Sequence, residues 1–135
     1  QRAERAMEMM EISHLADRFT DEMSSGEARR ILLARALVHD PRALILDEPT
    51  TALDLSAQYE LRGILRKLAQ SGIGIVMVTH HLSDLIPEIE RVILMSRGSI
   101  VADGPAREVL TAPRLSSLFG RPLDLLARDG YYNLW

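Results

Sequence analysis

The sequence predicts an α/β domain with a mainly parallel sheet flanked by helices and a β-hairpin at its carboxyl end. Three observations carry that expectation. Short apolar runs of strand length at residues 43–46 and 73–78 alternate with longer segments of helical period. That alternation of strand and helix is the pattern of a parallel sheet. Near the end, Asp129-Gly130 sits between two apolar runs, the arrangement of a tight hairpin turn.

Taken in order, residues 3–10 read as a helix, with Ala6, Met7, Met9 and Met10 supplying apolar surface for a core. Ser25 precedes a second helix, whose apolar positions Ala28, Ile31, Leu32 and Ala36 follow the helical period. Asp40-Pro41 stops it, because the residue before proline avoids the α region. The wholly apolar residues 43–46 suit a strand buried on both faces. Residues 57–70 return to helical spacing through Leu61, Ile64, Leu65 and Leu68, and end at Ser71-Gly72. Residues 73–78, rich in β-branched side chains, are the second buried strand. A short helix is expected around residues 82–86, then a strand at 91–95. Gly98 turns the chain into a partner strand at 100–102. Pro105 fits the first turn of a helix ending before Pro113.

The chain has 135 residues, with 16 basic against 19 acidic side chains and a net charge of −3. That balance gives no electrostatic case for nucleic acid. With 47% hydrophobic and 26% charged residues, it reads as one globular domain able to bury a core. There is no cysteine, which excludes disulfides, cysteine-bound metal and thiol nucleophiles. No apolar run reaches the roughly 18 residues of a membrane span. The polar start, residues 1–5, is no signal peptide, and a cytoplasmic location is expected.

The chemistry concentrates in four places. Residues 43–46 run directly into two adjacent acids, Asp47 and Glu48, at the carboxyl end of a strand, where α/β sheets keep their ligand crevice. The first acid can hold a hydrated magnesium ion, which prefers oxygen ligands. The second can orient or deprotonate a water that attacks a phosphate. Upstream, Met23-Ser24-Ser25-Gly26-Glu27 places small residues at a helix start, where free N–H groups and the helix dipole attract anions. Downstream lies Thr51-Ala52-Leu53-Asp54, and the second strand ends in Thr79-His80. His80 there can donate to a phosphate oxygen. His81 reads as a surface residue, and His14 and His39 receive no role.

In this order and spacing, the four pieces resemble the ATP-binding cassette (ABC) ATPases, a branch of the P-loop NTPase fold. The resemblance extends from about residue 15 to residue 104. It implies that residues 23–27 are the signature motif, usually Leu-Ser-Gly-Gly-Gln. It further implies that Asp47 is the Walker B magnesium residue, Glu48 the catalytic base, residues 51–54 the D-loop with Asp54, and His80 the switch histidine. Ser24, Ser25, Gly26, Glu27 and Asp54 would contact nucleotide, with ATP and Mg²⁺ as cofactors. Two positions depart from the pattern: Ser25 replaces glycine, and Glu27 puts a negative charge beside an anion site in place of glutamine.

A P-loop of the form G-x-x-x-x-G-K-[ST] is not in the sequence, whose one lysine, Lys67, lies in a helical segment. The chain therefore resembles the carboxyl-terminal part of an ABC subunit. Residues 1–40 would belong to its helical subdomain, 41–104 to the catalytic core strands and 105–135 to terminal helices and a hairpin. The implied function is the ATPase that powers solute transport across a membrane, with substrate and direction left open. The Ser25-Gly26-Glu27 signature and the terminal hairpin are similar to those of importer ATPases for metal or oxyanion ligands. Partners of the ATPase would be a second such subunit and transmembrane permease subunits, at the inner face of the membrane. A soluble ABC ATPase of DNA maintenance or translation shares these motifs, and a non-catalytic interaction fragment is the third reading. By itself the chain is expected to be inactive and, through open strand edges, to self-associate.

Overall fold

The computed structural model describes residues 1–135 and divides into two compact units, Gln1–His80 and His81–Trp135. The first unit begins with α1, Arg2–Met9, and then α2, Ser25–Leu37. The strand β1, Ala43–Asp47, leads to α3, Leu55–Gln70, and β2, Gly74–Val78, follows. β1 and β2 pair in parallel, with Ala43 opposite Gly74 and Asp47 opposite Val78. α1 packs on α2, α2 on α3, and α3 on β2.

The core of this unit matches the expectation along α3 but not along α2. The buried face of α2 is Leu33, Ala34 and Leu37, while Leu32, on the stripe read from the sequence with Ala28, Ile31 and Ala36, is exposed. Leu61, Ile64, Leu65 and Leu68 are buried along one face of α3, and Leu44 and Leu46 are buried in β1. Met10, Ile12 and Leu15 are fully enclosed beside the buried Ala6 of α1, so Met10 is core.

The strands differ from their expectation. β1 is buried on one face only, since Leu44 and Leu46 are enclosed while Ile45 is 79% exposed. Val76, opposite Ile45, is exposed on the same face. One face of β1 and β2 is left uncovered, and an apolar run read from sequence cannot say how many sides are covered.

The second unit carries β3, Arg91–Ser96, and β4, Ser99–Pro105, as an antiparallel hairpin, with a register shift between Leu94 and Met95. β5, Leu125–Arg128, and β6, Tyr131–Leu134, form the terminal hairpin across Asp129-Gly130, both with positive φ. Its core is Ala106, Leu110 and Leu115, packed by Val92, Leu94, Leu123, Tyr132 and Leu134. Parallel pairing is thus confined to β1 and β2, and the other pairs are antiparallel.

Between the hairpins the helical expectation needs two corrections. The helix at 105–112 is a single turn, α4, Ala106–Val109, and a second helix, α5, Ala112–Phe119, begins where a stop was expected. Pro113 lies in the first turn of α5, where no N–H is needed, so it starts a helix and does not end one. The segment at 82–86 shrinks to one 3-10 turn, Leu82–Asp84.

Candidate nucleotide site

Asp47 and Glu48 leave β1 in different ways. Asp47 closes the strand opposite Val78, exposed, and its carboxylate makes no hydrogen bond or ion pair. An unengaged, solvent-facing carboxylate at a strand end is a suitable hard oxygen ligand for Mg²⁺. Glu48 turns into the left-handed region at φ 44°, a costly conformation for a side chain of its size. Its N–H donates to Val78 O at 2.8 Å, which extends the ladder by one bond and holds the turn. Thr51 N–H then donates back to Glu48 O at 3.2 Å.

That turn aims the Glu48 carboxylate at the end of β2. Oε1 accepts from the His80 backbone N–H at 3.1 Å and lies 2.5 Å from His80 Nδ1. Thr79 Oγ1 donates to Oε2 at 3.4 Å. Because a carboxylate only accepts, His80 donates to it from Nδ1 in this pairing. Glu48 is partly enclosed, with 30% of its side chain exposed, and His80 is open to solvent.

At the start of α2, Ser24 is the N-cap. Glu27 N–H donates to Ser24 Oγ at 3.2 Å, and Ser24 N–H donates to Glu27 Oε2 at 2.8 Å, a reciprocal capping box. The bond from the Ser24 backbone N–H, with help from the Ser24 hydroxyl, holds the Glu27 carboxyl below its ordinary value. Arg18 and His14 add to the lowering, with His14 Nε2 3.9 Å from Oε1. The negative charge at residue 27 is therefore turned onto its own helix. Ala28 N–H bonds to Ser24 O, so the amides of Ser25 and Gly26 are the first-turn donors left over.

Asp54 is likewise an N-cap. Its Oδ1 accepts from Ala57 N–H at 2.9 Å, which is why α3 begins at Leu55, two residues before its apolar period. Gln58 Nε2 donates to Leu53 O at 3.0 Å and steadies the loop from behind.

Every site residue predicted from sequence has a defined place. Glu48 and His80 meet, and the segment bearing Asp54 lies against the start of α2. Sequence reasoning missed Thr79, whose hydroxyl reaches Glu48, and Arg29, whose Nη2 lies 3.5 Å from Thr51 O. It also missed Ala57. Thr79 was visible as a polar residue beside His80, whereas Arg29 and Ala57 gave no signal before their helices were placed.

An acid pair leaving a strand, a histidine held against the second acid, and a capped helix opening on small residues thus stand together in the first unit. Comparison with known proteins identifies the family. The ABC transporter family profile matches residues 1–51. The molybdenum import ATP-binding protein ModC of Mycobacterium tuberculosis is 44% identical over 106 residues, 78% of this chain and 28% of that protein. The hemin import ATP-binding protein HmuV of Nocardia farcinica is 38% identical over 121 residues, 90% of this chain and 42% of that protein. An inward-facing metal-chelate type ABC transporter superposes with a TM-score of 0.87 at 29% identity, covering 99% of this chain and 54% of that one. The chain belongs to the ABC transporter ATP-binding family and corresponds to a carboxyl-terminal portion of its cassette. It spans less than half the length of those two curated relatives.

Proposed function

We propose that this chain is the carboxyl-terminal part of the ATP-hydrolysing subunit of an ABC importer. The contact between Glu48 and His80 at the ends of β1 and β2 is the observation that carries the reading. Residues 1–40 then belong to the helical subdomain, 41–104 to the catalytic strands and 105–135 to the terminal helices and hairpin.

In this reading Glu48 takes the proton of the attacking water. Its left-handed turn and the His80 N–H fix the carboxylate at one place, so little reorganisation is needed at the moment of reaction. His80 Nδ1–H faces Glu48, so it leaves that partner when it turns to the nucleotide. Released toward the γ-phosphate, Nδ1–H becomes a donor to it. Asp47 would hold Mg²⁺, which when bound neutralises phosphate charge. Ser24, Ser25 and Gly26 would meet the nucleotide of a second ABC subunit, through the two leftover amides and, once it turns away from Glu27, the Ser24 hydroxyl proton. Glu27 supports that surface through the cap, and Asp54 fixes the loop beside it.

Import is favoured by the relatives, one an ATP-binding protein of molybdenum import and the other of hemin import. The proposed partners are a second ATPase subunit and transmembrane permease subunits at the cytoplasmic face of a membrane. Nucleic acid is not a proposed partner. No helix is long and apolar enough to cross a membrane. Without a P-loop, whose lysine and amides cradle the phosphates, this chain by itself is expected to be inactive.

Glu48→Gln in the complete subunit tests the reading. Glutamine keeps the shape but takes no proton, so turnover should fall about 10²–10⁴-fold while ATP still supports a dimer on size exclusion. Near-normal turnover would show that Glu48 is not the base.

A further inference from the structure

Gly26 lies inside α2 with ordinary helical backbone and is not among the glycines with positive φ. Conformational freedom therefore does not explain it, and alanine is the better helix former. What does distinguish the position is its neighbour. A Cβ at residue 26 would sit 3.0 Å from the Ala57 Cβ, well inside the ordinary 3.5–4.0 Å or so between carbon atoms.

Neither side can easily give way. Ala57 is held at its own N–H by Asp54 Oδ1, and α3 is anchored below by the enclosed Leu61, Ile64, Leu65 and Leu68. On the other side, the Ser24–Glu27 box brackets Gly26. Two further contacts tie the same segments, Arg30 Nη1 to Glu60 Oε2 at 3.6 Å and Arg29 Nη2 to Thr51 O at 3.5 Å.

We propose that Ala57 is a positioning residue for the signature. Glycine stands at 26 because the first turn of α3 occupies the space a side chain would need. That contact sets where the Ser25 and Gly26 amides face. The inference rests on the reading of this helix start as a nucleotide contact. It replaces one explanation of the glycine, close approach of a phosphate, with another, close approach of a neighbouring helix.

A double-mutant cycle in the complete subunit separates the two explanations. Gly26→Ala, Ala57→Gly and the double variant are compared for thermal midpoint, KM for ATP and kcat. Gly26→Ala should lower the midpoint and raise KM about tenfold, the scale of coupling between touching residues, with kcat at saturating ATP changing far less. Adding Ala57→Gly should return KM to that of the Ala57→Gly subunit and remove the extra loss of midpoint. A double variant that recovers its midpoint but keeps the raised KM would overturn the proposal, since the nucleotide itself would then demand glycine. An unchanged or raised midpoint in Gly26→Ala would also overturn it. Rescue of the midpoint with KM unmoved throughout would instead refute the nucleotide contact at α2, and the positioning role with it.

Discussion

The start of α2 and the ends of β1 and β2 both carry acids near a proposed phosphate, yet they use them differently. At the helix starts, Glu27 and Asp54 are spent on backbone N–H groups of their own segments, each as part of a cap. At the strand ends, the Asp47 carboxylate makes no hydrogen bond, and Glu48 reaches across to the neighbouring strand. The first kind of carboxylate builds the surface, and the second, in the proposed reading, is left for chemistry. The difference lies in backbone geometry. A helix start offers unpaired donors that a nearby acid will satisfy, whereas a strand end followed by a left-handed residue throws its side chain outward.

The largest expected effect that would break this comparison belongs to Asp47. In the complete subunit, Asp47→Ala should cut ATP turnover by at least about 10²-fold, since a metal at this charge contributes several kcal/mol. Its stability should stay within about 0.5 kcal/mol of the parent, because no bond is lost. A clear loss of stability on urea denaturation would mean Asp47 is structural after all.

Asp54→Ala should behave the opposite way. Losing the N-cap of α3 should cost about 1 kcal/mol by urea denaturation. Asp54→Asn, which keeps an acceptor, should recover most of that loss. No difference between the two variants would remove the cap from the account.

The smallest effect is a pH dependence. The Glu27 carboxyl is held below its ordinary value of 4.5, first by the Ser24 backbone N–H. A lowered folded-state value means the ionised form is favoured by folding. The cap therefore contributes fully above the ordinary value and fades as pH falls through the lowered one. Thermal midpoints measured through that acid window should fall less steeply in Glu27→Gln than in the parent. Parallel curves would contradict the capping box.

Much of this site was legible before the fold. The run Ala43-Leu44-Ile45-Leu46 ending in Asp47-Glu48 marked a strand and its acids, and Thr79-His80 marked the second strand end. Ser24 with Glu27 three residues on is itself a capping-box pattern, but the charge at 27 read as a threat to anion binding until its partner was visible. The half-exposed faces of Ile45 and Val76 were not legible, because periodicity reports which residues are apolar and not what covers them. Pro113 was misread for a related reason: proline stops one helix and starts another with the same fixed φ. Ala57 was invisible because nothing in a lone alanine says that a glycine from another helix will sit on it.

The central claim is that Glu48 and His80 act as one unit across β1 and β2. A kinetic cycle in the complete subunit, with Glu48→Gln, His80→Ala and the double variant, tests it most directly. Residues that serve the same step lose rate non-additively. The double variant should turn over ATP no more slowly than Glu48→Gln does. Losses that multiply would show two independent roles and contradict the pairing.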